Sequence, residues 1–362
     1  MTSRRLLAVR AGLIRTLDRE RPAVECLAVR AGRIAAIGSQ DEIGSLVGGS
    51  GEWLDLRPAT VVPGLTDSHI HLSEWALGRT TPDLSDAGTM VDALASIRRC
   101  ADSAPPEAWL EFKGWDPALR REAALADLDA ASRGRAVALV AHDLHCGWLS
   151  SEAMRRLGIL ENRSDPPGGT LERDLEGRPT GLLKERALDW WYEGRPRPSA
   201  AERRAALLQG QTALHRLGVT AVHSVEAPDS FHALERLELA GELDLRILHH
   251  FPQRYLDTLI ECGIASGFGS EWLRVGGIKY FSDGALGSRT AWMLEPYADA
   301  EGYGIRRLEP EELAADIERA RAAGLSATVH AIGDAAVRMV LDTLERAGSD
   351  GLALPHRIEH LQ

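Results

Sequence analysis

The sequence predicts an α/β chain built on a parallel barrel of the TIM type, followed as far as its sixth strand. A small β unit precedes the barrel and a long insertion follows the first strand. Three observations lead there. From about residue 200 onward, short apolar runs alternate with stretches whose apolar residues recur at three-to-four spacing, the rhythm of βαβ units. The first 60 residues read instead as short strands parted by glycine turns. Finally, His69, His71, Lys279, His330 and His360 lie in or end predicted barrel strands, at the mouth where such barrels place their sites.

In chain order, strands are expected at 6–9, 24–29, 33–37 and 52–54, with turns at Gly32, Gly38 and Gly48-Gly49. They make an N-terminal unit over 1–60, half of a composite β-sandwich. The barrel domain, 61–362, opens with an apolar run through Pro63-Gly64 into Thr66-Asp67-Ser68-His69-Ile70-His71. Residues 73–200 form the insertion, with a strand at 136–141 and several tryptophans. Arg195-Pro196-Arg197-Pro198 is a stiff joint returning it to the barrel. Further barrel strands are expected at 219–224, 245–250, 275–281, 326–330 and 357–360, and helices at 201–217, 231–240, 310–323 and 335–347.

The 362 residues suffice for one large barrel plus a smaller unit. A net charge of -11 argues against nucleic acid or an anionic membrane as partner, since both need a basic face. Cys26, Cys100, Cys146 and Cys262 are far apart and form no CxxC pair, which suits reduced thiols. No run approaches the roughly 18 apolar residues of a membrane helix. A cytoplasmic protein acting on a small molecule is expected, and a homo-oligomer is compatible with the sequence.

His69 and His71 stand two apart, so on a strand both imidazoles point to one side and can reach one metal ion. The alternative is a pair satisfied structurally at a strand end. Lys113, Lys184 and Lys279 are the only lysines among 42 basic residues, so a lysine here is more often wanted for its amine. An ammonium cannot ligate metal. Its amine can take up carbon dioxide to give a carbamate, which offers two oxygens and a negative charge. The rival reading of Lys279 is a salt bridge to Asp283 or another buried charge.

Val62-Pro63-Gly64-Leu65-Thr66-Asp67-Ser68-His69-Ile70-His71 resembles the first metal-binding strand of the amidohydrolase superfamily. Gly277-Ile278-Lys279-Tyr280-Phe281-Ser282-Asp283-Gly284-Ala285-Leu286-Gly287-Ser288-Arg289-Thr290-Ala291 is similar to a hallmark of the branch that includes N-substituted formamide deformylase and other metal-dependent hydrolases. Val329-His330-Ala331-Ile332-Gly333-Asp334 and His356-Arg357-Ile358-Glu359-His360-Leu361-Gln362 resemble its next two strand ends, and Lys113-Gly114-Trp115-Asp116 also fits.

The resemblance implies two divalent metal ions, zinc first among them. His69 and His71 would hold one, His330 and His360 the other, and Lys279, as a carbamate, would bridge them. The metals would activate a water to attack a non-peptide amide and polarise its carbonyl. Arg289 is expected to grip a substrate oxygen, against a salt bridge with Asp283 or Asp334. His145 and Trp115 are expected to contact substrate, His223 to line the pocket, and His356 to be structural. The family's remaining ligand, an aspartate at the end of the eighth strand, has no counterpart before Gln362. The chain therefore reads as a barrel cut short after its sixth strand. The alternative to a working amidohydrolase is an inactive fragment or pseudoenzyme with partial metal binding.

Overall fold

The computed structural model describes residues 6–48, 51–141, 146–160, 164–166, 169–286, 289–298 and 302–362. Its N-terminal sheet holds β1 (Leu7–Arg15), β2 (Ala23–Arg30), β3 (Arg33–Gly38), β4 (Glu52–Asp55) and β5 (Thr60–Val61). The order is β3-β2-β1-β4, with β5 also pairing β1. Helix α1 (Gln40–Val47) interrupts this unit, where only strands are expected from the sequence. Its start is written in Ser39 and Glu42, which satisfy each other's backbone amides reciprocally, and Ile43 and Val47 bury against the sheet.

The barrel begins with β6 (Leu65–Ile70), and α2 (Leu72–Gly78) follows directly. This helix packs on the barrel helix after the insertion through Leu72 and Ala76 against Leu207 and Leu214. The expectation that the insertion starts at residue 73 is thus corrected: α2 belongs to the barrel layer. The insertion proper contains α3 (Met90–Ser103), β7 (Trp109–Trp115), α4 (Leu125–Ser132), β8 (Ala136–Ala141), β9 (Cys146–Leu149), α5 (Ser151–Arg156), β10 (Gly169–Arg173), β11 (Pro179–Glu185) and α6 (Asp189–Gly194). Its five strands form a separate sheet, ordered β10-β11-β9-β8-β7, although the sequence reading expects one strand there.

The barrel resumes with α7 (Ala200–Arg216), β12 (Val219–Val225), α8 (Pro228–Leu239), β13 (Arg246–Pro252), α9 (Leu256–Glu261), β14 (Leu273–Phe281), α10 (Pro310–Ala322), β15 (Ser326–Ala331), α11 (Asp334–Ala347) and β16 (Arg357–His360). The six barrel strands pair in parallel in the order β16-β15-β14-β13-β12-β6. Such pairing needs crossovers, and the helices provide them, covering the outer face of the sheet. Leu313, Ile317 and Val340 from α10 and α11 pack with Ile278 and Val329 into one core. At Gly277, β14 and β15 leave no room for a side chain: an added Cβ would stand 2.1 Å from the Ser326 carbonyl oxygen. Among the described residues, no helix is long and apolar enough to cross a membrane.

Candidate metal centre

The strand ends bring four histidines together from three places in the sequence. His69 is the penultimate residue of β6, and His71 is the first residue past it, at the start of α2. His330 is the penultimate residue of β15 and His360 the last of β16. Ring centres run 5.8 Å from His71 to His69, 4.9 Å from His69 to His360 and 4.6 Å from His360 to His330. His360 holds φ at 73°, a left-handed conformation unusual outside glycine, so the fold forces its position at the mouth.

Three of the four rings are oriented by one nitrogen. His71 Nδ1 lies 2.6 Å from the Val225 carbonyl, which fixes it as the donor. His69 Nδ1 is 2.7 Å from Glu359 Oε2, and His330 Nε2 is 2.8 Å from the Gly284 carbonyl. These bonds leave Nε2 of His69 and His71, and Nδ1 of His330, as lone pairs. Burial lowers the pKa of His71 and His330, and burial with the charges of His330, His69 and Lys279 brings His360 down to about 4. Neutral imidazole is the form that ligates metal.

Lys279 is 1% exposed on β14 and, among the described residues, its Nζ has no hydrogen-bond partner. It stands 5.0 Å from the centre of the Phe281 ring. Burial pulls its pKa down to about 8, with Glu359 opposing and Arg357 assisting. The rival salt bridge to Asp283 is not what Asp283 does. That buried carboxylate accepts from the backbone amides of Ile332 at 3.1 Å, Gly333 at 2.8 Å and Trp292 at 2.9 Å, tying the loops after β14 and β15 together.

The donor set suits a cationic metal: imidazole nitrogens, and a buried amine that a carbamate would convert into an anionic oxygen ligand. Among the described residues, no three histidine, cysteine or acidic side chains already form a metal-holding group; the four rings lean on one another instead.

Arg289 sits exposed in the loop after β14 with φ at 55°. His223 touches Arg357 through Nδ1, and its ring centre is 6.0 Å from that of His250. His356 accepts from the Ala327 amide at 2.9 Å and contacts the Gly348 carbonyl at 2.9 Å, an arrangement that holds strand ends rather than ligands. Trp115 requires a correction. It is fully buried in the apolar core of the insertion, its ring 6.0 Å from that of Trp148, so it packs that core and is not a pocket wall. His145 lies outside the described residues.

Two acidic residues went unnoticed in the sequence. Glu359, next to His360, turns its side chain to His69. Glu226, just past β12, accepts from the amides of Ser73 at 2.8 Å and Glu74 at 2.9 Å and from Ser224 Oγ at 3.1 Å, anchoring the segment after His71. Burial pushes its pKa up to about 7 against the pull of those donors. Neither stands in a local pattern that marks its partner: Glu359 lies between Ile358 and His360, and Glu226 follows Val225.

A sequence profile described as amidohydrolase family matches residues 52–362. Protein LONG AFTER FAR-RED 3 of Arabidopsis thaliana is 30% identical over 98% of this chain and 64% of its own length. N-substituted formamide deformylase of Arthrobacter pascens is 28% identical over 95% of this chain and 66% of its own. The chain thus spans 64% and 66% of these two curated relatives. The crystal structure of an uncharacterized metal-dependent hydrolase from Pyrococcus horikoshii superposes with a TM-score of 0.81 at 27% identity, over 98% of this chain and 69% of that one.

Proposed function

This chain belongs to the amidohydrolase family, and from that premise we propose that it is a metal-dependent hydrolase of a carbon–nitrogen bond other than a peptide bond. Its substrate is a small amide-type molecule, as the name of the deformylase relative suggests. The observation that carries this reading is the buried Lys279 amine, unpartnered among the described residues, whose charge is felt by His71, His330 and His360 of the histidine cluster. A cation kept dry and unpaired costs stability, which is accounted for if Nζ is destined for another chemical form.

His69 and His71 are assigned to one divalent ion, His330 and His360 to a second, and Lys279 between them as a carbamate; zinc suits this donor set. Carbamate forms when the unprotonated Nζ attacks the carbon of carbon dioxide and gives up one proton. Burial, by disfavouring the ammonium, supplies that unprotonated amine. When bound, the metals supply water activation and polarise the scissile carbonyl. The chain's own residues do the positioning: Val225 and Gly284 aim His71 and His330, and Asp283 holds the two loops that flank them. Arg289, with its planar fork, is assigned to a substrate oxygen.

The test is amine release from a panel of N-formyl and N-acyl amines by the full chain loaded with zinc. Metal-dependent release that falls at least about 100-fold in Lys279→Ala is expected. Full activity of Lys279→Ala without an added carboxylic acid overturns the assignment.

A further inference from the structure

Glu359 adjoins His360 in sequence, yet its carboxylate crosses to the opposite end of the sheet. Oε2 lies 2.7 Å from His69 Nδ1, and Oε1 lies 2.8 Å from Arg357 Nη2, with the acid's side chain only 6% exposed. Arg357 also donates to the Ser68 carbonyl at 2.9 Å and contacts His223 Nδ1. Among the described residues, β6 and β16 share no backbone ladder; these side-chain bonds, with the 4.9 Å contact of the His69 and His360 rings, link the two strands.

A buried carboxylate needs donors on both oxygens, and here one comes from a guanidinium and the other from a ring nitrogen. An ionised carboxylate only accepts, so the proton between the pair sits on His69 Nδ1, leaving Nε2 with a lone pair. Carboxylates in this position on a ligating histidine fix its tautomer and ring angle and raise its basicity.

We propose that Glu359 is a positioning residue for the metal centre: it locks His69 as the Nδ1–H tautomer, and Arg357 is the brace that holds Glu359 there. This rests on the metal-centre reading above. It goes beyond that reading in giving a non-ligand pair control over metal affinity.

Two readouts on the full chain test it. Side-chain 15N–1H correlation spectra of the metal-free protein, with His69 assigned by comparison with His69→Asn, report which nitrogen is protonated. Cobalt(II) titration followed by visible absorption reports affinity in wild type, Glu359→Gln and Arg357→Met. The expected result is an Nδ1–H His69 in wild type and cobalt binding weakened about 10- to 100-fold in Glu359→Gln, with a smaller loss in Arg357→Met. An Nε2–H His69 in wild type, or unchanged cobalt affinity in a folded Glu359→Gln, overturns the proposal. If Glu359→Gln does not fold, the wild-type tautomer decides alone. Wild type that binds no cobalt defeats the metal-centre reading itself, a different outcome from binding that ignores Glu359.

Discussion

Lys279 places its Nζ 5.0 Å from the centre of the Phe281 ring, two residues further along the same strand, and neither carboxylate nor carbonyl receives it among the described residues. The aromatic face offers a buried cation partial compensation, less than a hydrogen-bonded anion would. In the metal-free, uncarboxylated chain this lysine is therefore a destabilising residue. Lys279→Met keeps the length of the side chain and removes the charge. It is expected to raise the unfolding free energy of the metal-free protein by about 1–3 kcal/mol, read by urea denaturation, while metal binding is lost. A less stable Lys279→Met would mean that the amine has a structural partner.

Asp283 concentrates three backbone amides on one buried carboxylate. Asp283→Ala leaves all three without their acceptor and is expected to cost about 3 kcal/mol or more. Asp283→Asn retains one oxygen and should cost less. Denaturant midpoints of the two variants check the order.

Gly277 is a backbone requirement, not a composition accident. Its φ of 157° and the 2.1 Å approach of a built Cβ to the Ser326 carbonyl leave no room for a side chain between β14 and β15. Gly277→Ala is expected to lower stability by about 2–4 kcal/mol and to weaken metal binding, because Lys279 and His330 lie on those two strands. The neighbouring Gly276 similarly leaves space for the His250 ring, 2.5 Å from where a Cβ would be.

Glu226 gives the fold a pH dependence of definite sign. Its neighbours are the amides of Ser73 and Glu74, the Ser224 hydroxyl and the Glu74 carboxylate, and burial raises its pKa from 4.5 to about 7. In that window the folded chain holds a proton that the unfolded chain has released. Stability is therefore lost as pH rises from the unfolded value toward 7, by up to about 3 kcal/mol. Subtracting the unfolding free energy of Glu226→Gln from that of wild type across this range should give a downward slope. A flat or rising difference contradicts the account.

The barrel was legible because its central strands, β13, β14 and β15, are largely buried and read as short apolar runs between helical stretches. β12, β15 and β16 fall within a residue or so of their predicted bounds, and Lys279, His330 and His360 lie on the strands expected for them. The insertion was not legible. Its sheet mixes a parallel pair with antiparallel ones, and three of its strands, β9, β10 and β11, carry Gly147, Gly169, Pro179 and Gly181, which punctuate rather than mark strands. Trp115 shows the same limit from the other side: sequence gives an aromatic residue, and only packing tells core from pocket. Helix α1 could have been found, since Ser39 and Glu42 spell its capping pair. Glu359 and Glu226 were hidden because their partners lie 290 and 153 positions away in sequence.

Elemental analysis of the full chain, purified with zinc and bicarbonate and compared with Lys279→Ala, tests the central claim most directly. The account predicts about two metal ions per wild-type chain, falling to one or fewer when the bridging amine is removed. Wild-type protein that is folded but carries no metal, or a variant that keeps the wild-type complement, would contradict it.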